Sequence, residues 1–169
     1  MRGQPISLPI PTLSRSLITY ELVGLGDLVM QTTKGRLRPE NLCHEDPMFY
    51  GGRCAFGQTG VAQSHLSKQG VCLGDIFLFF GLFADEDGRN RHHRIFGFQQ
   101  IEEMKNLGKY VCETDMPQGF TRRHPHTVGE WNENNTLISD AAVKQKIPII
   151  VCVYRGRMVR FRGGLLHHG

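Results

Sequence analysis

Two apolar runs separated by a polar segment constrain the fold of this 169-residue chain more than any other feature. Residues 74–81 read GDIFLFFG, residues 94–101 read RIFGFQQI, and residues 85–93 between them contain no apolar side chain. Short β-rich runs around a polar, glycine-containing segment predict a strand, a loop and a second strand. Gly97 lies inside the second run, which predicts a bulge or a close approach by another backbone or a ligand. We therefore expect a small closed or half-closed β-barrel in which some strands are buried on both faces.

The rest of the pattern predicts one α+β domain with short flanking helices. Residues 59–68 read as a short helix, and Gly70 stands where a terminating residue is expected. The second apolar run is predicted to continue as a strand over 94–104. Residues 115–135 are polar and contain proline and glycine, which is typical of a long loop that carries function. The β-branched run at 147–154 predicts the last strand. At 169 residues the chain is long enough for one domain with a real core.

The charge is distributed unevenly along the chain. The formal net charge is +4, yet residues 1–140 hold 14 Lys and Arg against 16 Asp and Glu. Residues 141–169 hold six basic residues and no acidic one. A basic body would favour nucleic-acid binding directly, and this body is slightly acidic. By charge alone, only the tail at residues 141–169 is a candidate for phosphate binding.

Several classes of protein lack support in the sequence. No run approaches the roughly 18 apolar residues of a membrane span, and the N-terminus lacks the layout of a signal peptide, so we expect a cytoplasmic protein without a membrane partner. Five cysteines, odd in number and without C-x-x-C spacing, predict reduced thiols that are mostly small core residues. The phosphate-loop, dinucleotide and nucleophile-elbow fingerprints are all missing from the sequence. The sequence predicts no cofactor.

Histidines and carboxylates concentrate in two segments, CHEDP at 43–47 and HPH at 124–126. Imidazole, thiolate and carboxylate are ligands of transition metals, and a histidine oriented by Asp46 can also act as a general base. Alternatively these side chains bind a polar ligand, or they only bond backbone groups and shape turns. Two histidines one residue apart on an extended chain face opposite ways, unless the loop kinks at Pro125. The usual zinc spacings C-x-x-C and H-x-x-x-H are absent, so no metal ligand is assigned.

A second set of candidates consists of amide and aromatic side chains. Gln58 and Gln63 can pair with the edge of a base, as amides do with adenine. Gln63 and His65 are two residues apart on the predicted helix, so only one of them is expected to line a given pocket. Trp131, the single tryptophan, is predicted to be either a lid or a platform on which a base stacks. Asp75 is expected to fix the turn before its strand through backbone N–H groups.

The chain resembles a known family through a series of short motifs. They are CHEDP at 43–47, GQ at 57–58, AQSHL at 62–66, GDIFLFFG at 74–81, RIFGF at 94–98, HPH at 124–126 and NT at 135–136. This order is similar to that of the third nucleotide modification associated domain family. The Gly-Asp turn with its two aromatic strands also resembles the PUA-like superfamily, which includes the ASCH and EVE domains. The resemblance implies a small mixed β-barrel that binds RNA or modified bases and works with DNA base modification.

The resemblance also implies the organisation of the chain. Residues 1–140 would form the PUA-like domain, which we expect to be truncated at its N-terminus relative to its relatives. Residues 141–169 would form the last strand and a basic tail that matches the family poorly.

The function expected from residues and resemblance together is a module that binds DNA or a nucleotide and recognises a modified base. No residue is assigned a catalytic role. An enzyme that modifies or hydrolyses nucleotides through a His/Asp acid–base or metal site is the alternative. The side chains predicted to contact the base or nucleotide are His44, Asp46, Gln58, Gln63, His65, His124, His126 and Trp131.

Overall fold

A computed structural model describes residues 8–84, 89–112 and 119–140, together with the backbone of a strand at 159–161. The described elements, in chain order, are β1 (Ile10–Pro11), α1 (Gly26–Thr33), β2 (Cys43–His44), β3 (Met48–Tyr50), β4 (Arg53–Gln58), α2 (Gly60–Lys68), β5 (Ile76–Phe83), β6 (His92–Gln100), β7 (Glu103–Asn106), a 3-10 turn (Pro125–Thr127), β8 (Thr136–Ser139) and β9 (Val159–Phe161). The strand predicted at 147–154 lies outside the described residues. Neither described helix combines the length and the apolar character that crossing a membrane requires.

The strands form three sheets within the described part of the chain. One sheet has the order β3-β4-β8-β7, a second has the order β6-β5-β9, and β1 pairs with β2. Every pairing between these strands is antiparallel. Over the described residues no sheet closes into a barrel, so the domain is a small α/β structure of packed antiparallel sheets. The predicted PUA-like barrel is not confirmed, although the expected burial of strands on both faces is found.

The two central strands of the four-stranded sheet, β4 and β8, are buried on both faces because they separate two apolar clusters. Along β4, Cys54 and Phe56 face one cluster and Ala55 faces the other. On β8, Ile138 and Leu137 divide in the same way. Successive side chains of a strand point to opposite faces, so a strand between two cores reads as a continuous buried run.

The first cluster lies between the two larger sheets and is rich in aromatic rings. Its buried members are Cys54, Phe56, Leu66, Val71, Phe77, Phe79, Phe96, Ile101 and Ile138. The ring centroids of Phe56 and Phe77 are 5.5 Å apart, and those of Phe56 and Phe79 are 5.4 Å apart. Such edge-to-face pairs stabilise a core beyond the area that they bury. The apolar runs of the sequence therefore fold into the main core.

Two of the predicted elements are confirmed, and a third is wrong in its extent. The helix expected at 59–68 is α2, and the strand expected from residue 76 is β5. The run at 94–104 is two strands, because the chain changes partners at Ile101. The N–H of Ile101 donates to Asp75 O, whereas the N–H of Glu102 donates to Ser139 O. One continuous apolar pattern thus serves two sheets in succession.

Gly97 confirms the predicted irregularity in mid-strand. The register between β5 and β6 shifts between Phe79 and Phe80. A Cβ at Gly97 would lie 2.6 Å from Cζ of Phe49, closer than real side chains approach. The approaching group is therefore a ring of the neighbouring sheet.

Asp75 has the turn-forming role that was predicted for it. The side chain is buried, and its Oδ2 accepts a hydrogen bond from the N–H of Cys72 at 3.0 Å. This bond closes the turn that leads into β5. The cysteine prediction holds for Cys43 and Cys54, which are buried, and fails for Cys72 and Cys112, which are exposed.

Candidate functional site

Three histidine rings converge on the carboxylate of Asp46, which follows β2. Nε2 of His44 lies 3.6 Å from Asp46 Oδ2, and Nε2 of His126 lies 3.5 Å from the same oxygen. Nε2 of His124 lies 3.3 Å from the other oxygen, Oδ1. Oδ1 also accepts a hydrogen bond from the backbone N–H of Gly57 at 3.1 Å. The two histidine-bearing segments of the sequence therefore form one site, which we call the histidine–aspartate cluster (His44, Asp46, His124 and His126).

A 3-10 turn brings His124 and His126 to the same side. Proline is favoured at the first position of a helical turn, and Pro125 occupies that position here. Nδ1 of His124 accepts a hydrogen bond from the N–H of His126 at 3.2 Å. The N–H of Thr127 donates to the carbonyl of His124 at 2.8 Å and closes the turn. The kink at Pro125, which the sequence left open, is the reason that both rings reach Asp46.

Asn135 holds the ring of His126 in one orientation. Its Oδ1 lies 2.7 Å from His126 Nδ1, and its Nδ2 donates to the carbonyl of His126 at 3.0 Å. Gly57 leaves room for the ring, because a Cβ at that position would collide with Cγ and Cδ2 of His126. Asn135 was not predicted as a site residue, and its only signal in the sequence was the NT pair within the family resemblance.

Trp131 packs over the cluster as a lid. Its ring is stacked on that of His126, with centroids 4.1 Å apart and an angle of 15° between the planes. The indole N–H donates to the carbonyl of Val128 at 2.9 Å, and the guanidinium of Arg15 lies 4.6 Å from the ring centroid. These contacts fit the first of the two predicted roles, the lid. A base would have to displace one of the two groups to stack on the indole.

The pKa values of Asp46 and His126 are both lowered in the cluster, which leaves a charged carboxylate next to a neutral imidazole. Burial by itself would raise the pKa of Asp46, but His124, His44 and His126 together hold that pKa below its ordinary value. Burial lowers the pKa of His126 to about 4, against the opposing effect of the Asp46 charge. At neutral pH, Asp46 is therefore ionised and His126 is neutral.

The remaining residues of the 43–47 segment point away from this cluster. Glu45 is only 1% exposed, and its carboxylate accepts two hydrogen bonds from Arg122, at 3.0 Å and 2.7 Å. Cys43 packs in the second apolar cluster, and burial raises the pKa of its thiol to about 12. These two side chains hold the segment in place, and they leave His44 and Asp46 for the site.

A groove of about 630 Å³ runs along α2. Its lining residues are Gly60, Val61, Ser64, His65, Lys68, Asn132 and Asn134. Asn134 is hydrogen-bonded to α2. Its Oδ1 accepts from the N–H of Gly60, and its Nδ2 donates to Gly60 O and Ser64 Oγ. Asn132, one of the lining residues, directly follows Trp131 in the chain, so one wall of the groove is connected to the lid of the cluster.

The predicted contact residues divide between the cluster and α2. His44, Asp46, His124, His126 and Trp131 come together. Gln58 ends β4 beside Gly57, and His65 lines the groove. Gln63 is buried and its Oε1 has no hydrogen-bond partner among the described residues. Of Gln63 and His65, only His65 lines the groove, as their spacing on the helix predicted.

The comparisons with known proteins agree with the resemblance found in the sequence. The model of the family described as Nucleotide modification associated domain 3 matches residues 1–160. The fold and the cluster thus belong to a domain associated with nucleotide modification, and this chain is a member of that family. The matched region includes residues 141–160, which the sequence analysis set apart as last strand and tail. No curated protein and no solved structure matches the chain.

Proposed function

We propose that this domain binds a nucleotide at the histidine–aspartate cluster and the adjoining groove, and that it recognises a base, in particular a modified one, in DNA. The observation that carries the proposal is an open groove along α2 whose wall residue Asn132 follows Trp131, the lid of the histidine–aspartate cluster, in the chain. Nucleotide-sized ligands occupy clefts of roughly 300–1,000 Å³ with a few oriented polar groups. The groove volume of about 630 Å³ lies inside that range.

The groove offers groups of the kinds that a nucleotide requires. Lys68 and His65 stand near the end of α2, where a cation can contact a phosphate. The amide of Asn132 and the hydroxyl of Ser64 are hydrogen-bonding groups for sugar or base edges. The side chain of His44 is 24% exposed and forms the accessible edge of the cluster. A bound nucleotide would place its phosphate along α2 and its base toward His44.

A base within duplex DNA has to leave the stack to reach such a site. Extrusion costs a few kcal/mol, and less for a modified, mismatched or unpaired base. Single-stranded DNA or a free nucleotide avoids this cost, so we expect it to bind more tightly than matched duplex. The slightly acidic body of the domain also favours recognition of a base over non-specific binding to phosphate. We place this activity in the cytoplasm, as the sequence predicts.

An enzyme that modifies or hydrolyses nucleotides is the second candidate, and the geometry at His44 is the observation that favours it. The His44 side chain is 24% exposed and its Nε2 lies 3.6 Å from Asp46 Oδ2, so the carboxylate can orient a ring that a substrate can reach. Incubation with nucleotides and modified oligonucleotides, followed by mass spectrometry, separates the two. A changed mass of the base or phosphate establishes the enzyme, and unchanged substrate with saturable binding leaves the binding module.

The proposal is tested by fluorescence anisotropy with matched oligonucleotides that carry unmodified or modified cytosine or adenine. We expect a preference for one modified base that persists when Arg155→Gln and Arg157→Gln remove charge from the tail. His44→Ala should weaken binding about tenfold, which corresponds to the loss of one polar contact of roughly 1.4 kcal/mol. His93→Ala, an exposed histidine on β6, is the control and should leave binding unchanged.

Two results would overturn the proposal. One is binding that ignores the base and disappears with the tail charges, because phosphate contact alone then accounts for it. The other is equal affinity in the wild type and in His44→Ala and Lys68→Ala, because neither the cluster nor the groove then contacts the ligand.

A further inference from the structure

The geometry of the histidine–aspartate cluster points to a metal site: we propose that His44 Nε2, Asp46 Oδ2 and His126 Nε2 bind one divalent transition-metal ion. The candidate ligand atoms of these three residues all lie within 4.8 Å of one another. This inference goes beyond nucleotide binding and stands on different observations, so it can be tested without any nucleotide.

The distances between the candidate ligand atoms fit a shared ion. Zinc binds histidine nitrogen and carboxylate oxygen at about 2.0–2.2 Å, so two ligands of a tetrahedral ion lie roughly 3.4 Å apart. The separations from Asp46 Oδ2 are 3.6 Å to His44 Nε2 and 3.5 Å to His126 Nε2. Both exceed the length of a good charge-assisted hydrogen bond, which is about 2.7–2.9 Å. The atoms are therefore spaced as edges of a coordination polyhedron better than as directly bonded pairs.

The hydrogen bonds of His126 involve Nδ1 and leave Nε2 available to bind a metal ion. Asn135 Nδ2 donates to the carbonyl of His126, so Asn135 Oδ1 faces the ring and accepts from Nδ1–H. With Nδ1 used as the donor, Nε2 is the nitrogen that remains for a metal, and it faces Oδ2 of Asp46 at 3.5 Å. Metal-binding histidines commonly donate their other N–H to an oxygen in this way.

Asp46 is held so that one of its oxygens remains for the ion. Gly57 N–H donates to Oδ1, and His124 Nε2 lies on the same side of the carboxylate. His124 is fully buried, and its Nε2 has no aligned hydrogen-bond partner among the described residues. Nδ1 of His124 accepts from a backbone N–H, so Nε2 carries the proton of the neutral ring. His124 is thus a buried donor beside Oδ1, which leaves Oδ2 for the ion.

The donor set selects the class of metal. Calcium and magnesium prefer ligand sets made of oxygen, whereas imidazole with carboxylate suits zinc, iron, manganese, cobalt and nickel. Three protein ligands also leave coordination positions open, as catalytic metal sites do and closed structural sites do not. The exposed edge at His44 is where an exchangeable ligand would enter.

The test is a titration of the full chain after treatment with a chelator. Co²⁺ binding is followed by visible absorption, and Zn²⁺ and Mg²⁺ binding by calorimetry. We expect one equivalent of Co²⁺ or Zn²⁺ per chain, bound roughly 100-fold or more tightly than Mg²⁺. The absence of a stoichiometric site, or tighter binding of Mg²⁺, would overturn the proposal.

Variants identify the ligands. His44→Ala replaces the most exposed of them and should abolish the Co²⁺ absorption while the fold, followed by circular dichroism, persists. The matched control carries His92→Ala and His93→Ala, because neighbouring histidines on the surface are the competing sites for adventitious metal. Retention of the site in His44→Ala, or its loss in the control, would contradict the assignment.

Histidine NMR makes the test independent of how the variants fold. Long-range ¹H–¹⁵N spectra of the wild type with Zn²⁺ should show metal-bound Nε2 in His44 and His126 and a protonated Nε2 in His124. Spectra in which Zn²⁺ leaves all three rings unchanged would show that the cluster is an ion pair only, and the proposal would be wrong.

Discussion

The aromatic core and the histidine–aspartate cluster meet on the same strand but are stabilised in opposite ways. Phe56 on β4 packs its ring among Phe77 and Phe79, where any apolar neighbour of the right size stabilises it. The next residue, Gly57, has no side chain, and its N–H and its empty Cβ position serve Asp46 and His126. Between these two residues the strand passes from non-directional packing to directional polar contacts.

The difference shows how a stable sheet can support an otherwise unfavourable site. Burying a carboxylate and the imidazoles of His124 and His126 costs free energy unless each is bonded, and His124 Nε2 has no aligned partner among the described residues. The burial of the aromatic rings offsets this free-energy cost, and that stabilisation does not depend on ionisation. We therefore expect the two regions to respond differently to mutation, pH and metal.

The largest expected effect is on stability, from Phe77→Ala in the aromatic core. Phe77 is 1% exposed, and removing a fully buried ring leaves a cavity that costs about 3–5 kcal/mol of unfolding free energy. Urea unfolding measures the change. Phe98→Ala, which alters a ring that is 41% exposed on β6, is the control and should cost less than about 1 kcal/mol. Equal losses in the two variants would show that the aromatic cluster does not carry the stability.

The comparison is sharpened by placing the same methyl group in the two regions. Gly57→Ala forces a Cβ against the His126 ring, and Gly97→Ala forces one against Phe49. Each should cost about 1–3 kcal/mol through overpacking, measured by urea unfolding. Only Gly57→Ala should also abolish Co²⁺ binding, because it moves a ligand. Loss of the metal in both variants would mean that the cluster depends on general stability and not on local geometry.

The smallest expected effect is a pH dependence that comes from the end of β8. Burial raises the pKa of Asp140 to about 6 from an ordinary value near 3.8, although Cys54 N–H and Arg53 oppose the shift. The folded state then binds more protons than the unfolded state, so this contribution to stability is complete below about pH 4 and is lost as pH rises through 6.

Asp140→Asn removes this titration and should make the variant more stable than the wild type above pH 6, by about 1–2 kcal/mol. Urea unfolding at pH 5 and pH 8 measures the difference between the two proteins. Phe77→Ala should shift stability equally at both pH values, because no charge is involved. A difference between Asp140→Asn and the wild type that is the same at pH 5 and pH 8 would contradict the raised pKa.

Much of the core could be predicted from the sequence because its signals are local. The apolar run at 74–81 and the glycine at 97 identified β5, its partner and the bulge between them. Helix α2 followed from its own spacing and from Gly70. Helix α1 was not predicted, because it begins at Gly26, two residues after Gly24, and glycine has a low helix propensity. The division of 94–104 into two strands was also hidden, because it depends on which strand lies alongside.

The sequence by itself determined which chemical groups the site contains and which apolar segments make the core, because composition and periodicity are properties of neighbouring residues. Only the tertiary structure decided that His44 and His126, 82 positions apart in the chain, share one carboxylate oxygen. It also decided that Asn135 orients one ring and that Gly57 makes room for it. These contacts depend on distances and angles between segments remote in sequence, which no local pattern encodes. Hydrophobic burial tolerates approximate placement, whereas shared ligands and hydrogen bonds do not.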